Sequence, residues 1–211
     1  MSERQGCVAG KVAIVTGAGS TPGPGMATGR ACAIVLAREG ASVLLADVIG
    51  ERAEETRALI EKDGGTAAVF VGDMTRAADC DAMVRAAVDA FGTVDILVNN
   101  IGVAHAGNVV DTSEETWDRV LSLSLKTTFL ASKSAVPVMA AQRSGAIVNI
   151  SSITGTRGGN YVAYAAAKGG VNAITASLAM ECRIREPAAG VVRRPAHAFQ
   201  QPFRVVAAAP A

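Results

Sequence analysis

Short aliphatic and β-branched runs alternate with longer helical patterns along the first hundred residues, and few folds accommodate such an order. "VAIVTG" (12–17) is followed by a helix near 29–39, "SVLLAD" (42–47) by a helix near 50–63, "AAVFVGD" (67–73) by a helix near 76–91, and then comes "DILVNN" (95–100). Strand, helix, strand in repetition predicts β-α-β units and a parallel sheet. The runs are apolar on both faces, as strands between two helix layers must be. Beyond them, residues 114–142 predict one long helix, "GAIVNISS" (145–152) a fifth strand and residues 161–183 a further long helix. The fold class is therefore α/β, a doubly wound parallel sheet in three layers. Ligands in such sheets sit past the carboxyl ends of the strands, so positions 16–25, 47, 73, 99–102 and 151–152 are expected on one rim.

The chain has 211 residues, 50% hydrophobic and 18% charged, which suits one core and one domain, placed at 1–182. A formal charge of +1 and 4% aromatic residues supply neither a basic face nor a stacking platform, so nucleic acid is not an expected partner. Cys7, Cys32, Cys80 and Cys182 lack C-x-x-C spacing and are read as reduced, mostly packed thiols of a cytoplasmic protein. The first ten residues lack a signal-peptide core and no apolar run reaches membrane-spanning length, so no membrane association is expected. His105 and His197 stand alone without metal-ligand spacing, and no metal is expected. From Arg183 to Ala211 the chain carries four prolines and no sustained period apart from a short strand at 203–209, so this tail is expected to have little order.

Six glycines fall between residues 17 and 40, most of them where the first strand hands over to the first helix. Thr16 and Gly17 close the strand, and Gly19, Gly23 and Gly25 fit G-x-x-x-G-x-G, which at a helix N-terminus points to a pyrophosphate; an ordinary flexible loop is the other reading. Asp47 ends the second strand, where a carboxylate accepts hydrogen bonds from adenosine ribose hydroxyls and repels a 2′-phosphate. That favours NAD over NADP, the alternative role for Asp47 being a helix cap. Asp73, after the third strand, either caps a helix or touches adenine.

Taken in order, Thr16-Gly17 with its glycine loop, Asp73, "NNIG" (99–102), "NISS" (149–152) and "YAAAK" (164–168) resemble the short-chain dehydrogenase/reductase family, from about Gly10 to Glu181. The resemblance implies a Rossmann-like sheet and a nicotinamide cofactor bound by Thr16, Gly17, Gly23, Gly25, Asp47, Asp73, Asn99, Asn100, Gly102, Tyr164 and Lys168. The glycine loop is six residues longer than the family's, and Gly29 is expected to pack helix against strand. Ile101 stands where the family usually has Ala. Tyr164 and Lys168, four apart, share a helix face. An isolated phenol titrates near pH 10, and an ammonium beside it stabilises the phenolate. By resemblance Tyr164 exchanges the proton on a carbinol or carbonyl oxygen, Lys168 holds the nicotinamide ribose and tunes Tyr164, and Ser152 orients the substrate. The spacing to Tyr164 would suit Ser151, whereas the local frame "NISSxxG" favours Ser152.

Two departures accompany this resemblance. Ser124 stands where the family has a catalytic Asn, and a shorter side chain there is expected to lose a water chain leading to Lys168. "FRVVAAAPA" (203–211) resembles a family strand that arrives about sixteen residues late, so a truncated or altered family member lacking the usual last strand is expected. The resulting expectation is an NAD(H)-dependent oxidoreductase acting on a small secondary alcohol or ketone. Its alternative is a catalytically impaired dinucleotide-binding protein or a nonfunctional truncated member. A homo-oligomer is implied by the resemblance alone.

Overall fold

The computed structural model describes residues 6–21 and 25–182 and the backbone of residues 204–208. Six strands run parallel in the order β3-β2-β1-β4-β5-β6: β1 Val12–Thr16, β2 Ser42–Asp47, β3 Thr66–Val71, β4 Ile96–Asn99, β5 Ala146–Ile150 and β6 Arg204–Ala208. In-register pairing sets Thr16 beside Ala46, Val98 beside Val148 and Asn149 beside Ala207. The order reverses at β1 and β4, so a crevice opens beyond their carboxyl ends.

The period of two along each strand divides the core. Ala13, Val15, Val43 and Leu45 face α1 (Thr28–Arg38) and α2 (Gly50–Lys62), where Ala33, Ile34, Ala53 and Ile60 cover them. Ile14, Leu44, Leu97 and Ile147 face the opposite layer and pack against Met83 and Val84 of α3 (Ala77–Phe91) and against Leu130, Ala135 and Met139 farther along the chain. No helix among the described residues is long and apolar enough to cross a membrane. All four cysteines are free; burial pushes the Cys80 and Cys182 thiols up to about 11, which keeps them protonated, while Cys7 is exposed.

The single helix expected over 114–142 is three pieces: α4 Glu114–Leu121, one π-helical turn Ser122–Lys126, and α5 Thr127–Ala141. Ser113 caps the start by accepting the Thr116 N–H. A π turn inserts one residue without breaking the helix, so the apolar period shifts by one and the sequence pattern still reads as continuous. A one-turn helix, α6 Thr154–Arg157, precedes α7 Val162–Glu181, and it has no periodicity long enough to be read beforehand. The loop after β4 is stitched to the approach to α7, with the Gly107 N–H donating to the Asn160 carbonyl (3.0 Å) and the Val162 N–H to the Gly107 carbonyl (3.1 Å). The strand expected at 203–209 is β6, parallel to β5. The expectation of little order in the tail falls mostly on 183–203 and 209–211, outside the described residues, as do Gly23 and His197.

At the end of β1 the backbone turns through Gly17, whose φ of +64° lies in the left-handed region that favours glycine. Helix α1 then comes back against that turn at Gly29. A Cβ on residue 29 would stand 2.0 Å from the Gly17 carbonyl oxygen and 2.5 Å from the Asn100 amide nitrogen. Gly25, by contrast, has nothing within 4 Å of its Cβ position among the described residues. Gly29→Ala is therefore expected to cost about 1–3 kcal/mol as overpacking, lowering Tm by roughly 2–12 °C for a domain of this size. Gly25→Ala should leave Tm within about 2 °C on the same scale, and equal effects from the two would contradict the close contact.

Candidate active site

The rim forms because the strand ends are tied to one another. Thr16 is buried; its hydroxyl donates to the Val98 carbonyl (3.2 Å) and accepts the Asn100 N–H (3.1 Å), locking β1 to β4. The Asn100 amide donates to the carbonyls of Thr16 (3.2 Å) and Gly17 (3.1 Å). Gly19 gives its N–H to Asp47 Oδ2 (2.9 Å), and Asp47 Oδ1 accepts the Ile49 N–H (3.0 Å). A Cβ at Gly19 would lie 2.6 Å from Arg52 Cβ. Farther along, the Ser20 hydroxyl takes the Ala27 N–H (3.3 Å), closing the base of the extended loop. The Thr56 hydroxyl donates to the Ala18 carbonyl (2.9 Å) and accepts from Arg30 Nε (2.9 Å), so both α1 and α2 hold that base.

These ties shape a groove of about 650 Å³, with Gly17, Gly19, Asn100 and Gly102 on its floor and Asp47 and Asp73 on its wall. That volume lies within the usual range for cofactor sites. Helix α1 opens on it with no side-chain cap at Ala27, so its first amides and its positive dipole end are available to an anion. Asp73 lines the groove instead of capping α3. Its carboxylate accepts the Thr75 N–H (2.9 Å) and hydroxyl (2.8 Å), which hold it below the usual carboxylate range.

Five of the expected cofactor residues lie off this groove: Thr16, Gly25 and Asn99, and also Tyr164 and Lys168. The Asn99 side chain is turned into the core, where its amide donates to Asn149 Oδ1 (2.8 Å) and the Ser132 hydroxyl (3.1 Å). Alternation along β4 explains this, since residue 99 points to the same side as Leu97. Its Oδ1 has no hydrogen-bond partner among the described residues. Thr16 is a buried tie and Gly25 lies off the groove, while Gly23 is outside the described residues. The sequence reading passed over Ser20, Arg52, Arg119 and Thr127, which line the groove. Their spacing carries no common motif, and only the fold brings them together.

Beyond Gly102, off the lining of the groove, stand Lys168, Tyr164 and the serine pair. Lys168 is only 2% exposed, donates to the Ile150 carbonyl (2.6 Å) and lies 5.7 Å from the centre of the Tyr164 ring. A Cβ on Gly102 would stand 3.1 Å from Lys168 Nζ, so the ammonium lies close behind this groove-lining glycine. Tyr164 packs with Val103 in a small cluster around Val120, Ala163 and Ala167. Burial pushes the Lys168 ammonium down to about 8, and no carboxylate pairs with it among the described residues. Ser151 is buried and its hydroxyl is spent on the Lys168 carbonyl (3.2 Å), whereas Ser152 is half-buried beside it. Ser124, fully buried in the π turn, accepts the Val103 N–H (3.0 Å) and donates to the Val103 carbonyl (3.3 Å).

A family model for short chain dehydrogenases matches residues 11–192. An uncharacterized oxidoreductase of Thermotoga maritima is 40% identical over 82% of this chain and 66% of its own length. The trans-4-hydroxycyclohexanecarboxylate dehydrogenase of Sinomonas cyclohexanicum is 43% identical over 86% of this chain and 70% of its own length. The chain thus spans about two thirds of the length of these curated relatives. The crystal structure of a short chain dehydrogenase from Mycobacterium smegmatis superimposes with a TM-score of 0.83 at 32% identity, covering 100% of this chain and 81% of that one.

The buried ammonium makes a testable contribution to stability. Its titration falls from the ordinary 10.5 to about 8, so between these values the unfolded chain binds the extra proton. The cost is full below pH 8 and fades as pH rises toward 10.5. Lys168→Met is expected to melt higher than the parent at pH 7, with the gap closing toward pH 10. A gap that widens with pH in thermal denaturation would contradict it.

Proposed function

The chain belongs to the short chain dehydrogenase family, and on that premise we propose that it is a nicotinamide-dependent oxidoreductase interconverting a small secondary alcohol and the corresponding ketone. The observation that carries this reading is the convergence at Gly102, which lines the dinucleotide-sized groove and whose Cβ position lies 3.1 Å from the buried Lys168 ammonium. The residues present fit such a cofactor: a left-handed Gly17, a Cβ-free cradle at Gly29, an uncapped α1 N-terminus and a carboxylate at the adenosine end. When bound, the nicotinamide supplies or takes up the hydride.

The chain's own residues do the rest. In reduction the Tyr164 hydroxyl gives its proton to the ketone oxygen as the carbon gains the hydride, and in oxidation Tyr164 takes the proton back. Lys168 stabilises the phenolate left behind and holds the nicotinamide ribose. Ser152, the half-buried member of the serine pair, donates to the substrate oxygen where negative charge develops. Asp47 lies on the groove wall with both carboxylate oxygens held by backbone N–H groups, so a 2′-phosphate would meet a fixed negative charge; this supports NAD over NADP. Ser124 supports activity over a catalytically silent site, because its short hydroxyl still binds both backbone groups of Val103 and so braces the loop beside Gly102. Between α5 and α7 a shallow groove of about 190 Å³ with a half-exposed Phe129 suits a second copy of the chain, in keeping with the homo-oligomer the resemblance implies.

Wild-type protein is expected to oxidise NADH in the presence of some member of a panel of small ketones, with Tyr164→Phe lowering kcat by about 10²–10⁴ while NADH still binds. Unchanged turnover in that variant rules out the assigned proton donor. NADH should bind at least about tenfold tighter than NADPH, a difference near 1.4 kcal/mol, and Asp47→Ala should narrow it. Equal affinities in the parent chain would remove Asp47 as the selector.

A further inference from the structure

Ser152 has a neighbour whose chemistry the reaction needs and the family motifs do not mark. Thr154 opens α6, and it reaches the Ser152 hydroxyl oxygen twice: through its backbone N–H at 3.3 Å and through its own hydroxyl at 3.0 Å. A hydroxyl oxygen has one proton and two lone pairs. The backbone N–H can only donate, so it occupies one lone pair. The Thr154 hydroxyl donates to the same oxygen and so occupies the second. Ser152 is left with its own proton to give.

The arrangement is held rigidly. The Gly155 N–H donates to the Ser152 carbonyl (3.0 Å), and a Cβ on Gly155 would stand 2.6 Å from the Lys168 carbonyl carbon, so α6 lies directly on the α7 backbone at the buried lysine. Ser151, one residue earlier, is bonded to the Lys168 carbonyl from the other side. Thr154 therefore cannot drift relative to Ser152 without moving the turn of α7 that carries Lys168.

We propose that Thr154 is a positioning residue that makes Ser152 a one-way hydrogen-bond donor to the substrate's oxygen. With both lone pairs occupied, Ser152 cannot accept from an alcohol. Donation from Thr154 also polarises the Ser152 O–H, because hydrogen bonds in a chain strengthen one another. A donor fixed in this way is most useful when the substrate oxygen carries the greatest negative charge, during hydride transfer in either direction. The proposal rests on the reading of Ser152 and Tyr164 given above and adds a residue to it.

The test is a double-mutant cycle on the full chain, read as steady-state ketone reduction together with NADH affinity. Thr154→Val keeps the shape and the backbone N–H contact and loses only the hydroxyl. It should lower kcat about five- to tenfold, the size of one hydrogen bond, with the NADH Kd unchanged. Thr154→Ser should restore most of the loss. In a Ser152→Ala background, Thr154→Val should cost nothing further. Full activity in Thr154→Val, no rescue by Thr154→Ser, or an undiminished loss in the Ser152→Ala background each overturns the proposal. A wild-type chain that reduces no ketone overturns both this proposal and the functional reading. Turnover lost in Ser152→Ala but untouched in Thr154→Val overturns the role of Thr154 alone.

Discussion

The first helix reaches the end of the first strand because residue 29 has no side chain, and the geometry of the groove follows from that approach. Gly29 lies over the Gly17 carbonyl, and the Asn100 amide fills the remaining gap by donating to the carbonyls of both Thr16 and Gly17. Two strand ends and a helix N-terminus are thereby fixed within one small junction. The uncapped amides of α1 then face the crevice at the point where the strand order reverses, which is where such sheets bind ligands. The extension of the loop does not disturb this, since Ser20 joins the Ala27 N–H across its base and Thr56 holds the Ala18 carbonyl.

At the far end of the groove the structure accepts a cost in stability. Lys168 is buried with a carbonyl partner and no carboxylate among the described residues, so its charge is poorly compensated in the folded chain. Such a group is of little use to stability, and in the proposed reaction it serves a phenol that gives up and regains a proton. Glycines surround it. Gly102 leaves room for the ammonium, Gly155 lets α6 lie on the α7 backbone, and Gly170 admits Leu125 of the π turn. The loop after Gly102 is held in turn by the two bonds between Ser124 and Val103. Strand end, one-turn helix, π turn and long helix therefore meet around one ammonium, and each is placed by contact instead of by a flexible connection.

Much of this was legible beforehand because it rests on short-range pattern. Alternating apolar runs gave the parallel sheet, and Asp47 fell at a strand end where the groove wall requires a side chain. The unread parts are of a different kind. The π turn at Ser122–Lys126 shifts the helical period by one residue inside a uniformly apolar stretch, so 114–142 looks unbroken. Asn99 and Asn100 are adjacent in sequence, yet the pleat sends one amide into the core and keeps the other at the rim. In the first loop the helix-to-strand packing expected of Gly29 is met at the Gly17 carbonyl, whereas Gly25, expected to contact the cofactor, lies off the groove. Thr154 is legible only in three dimensions, because its role depends on which lone pairs of Ser152 are already taken.

The central claim is spatial: a dinucleotide lies from the Gly17 turn to Gly102 with its nicotinamide ring beside Tyr164 and Ser152. Diffraction from crystals grown with NAD tests it most directly. The expected result is continuous density along that groove, with the ribose next to the adenine within hydrogen-bond distance of Asp47 and the nicotinamide C4 facing the open side of the Tyr164 hydroxyl. Density bound elsewhere on the chain, or a nicotinamide held away from Tyr164 while Asp47 contacts nothing, would contradict it.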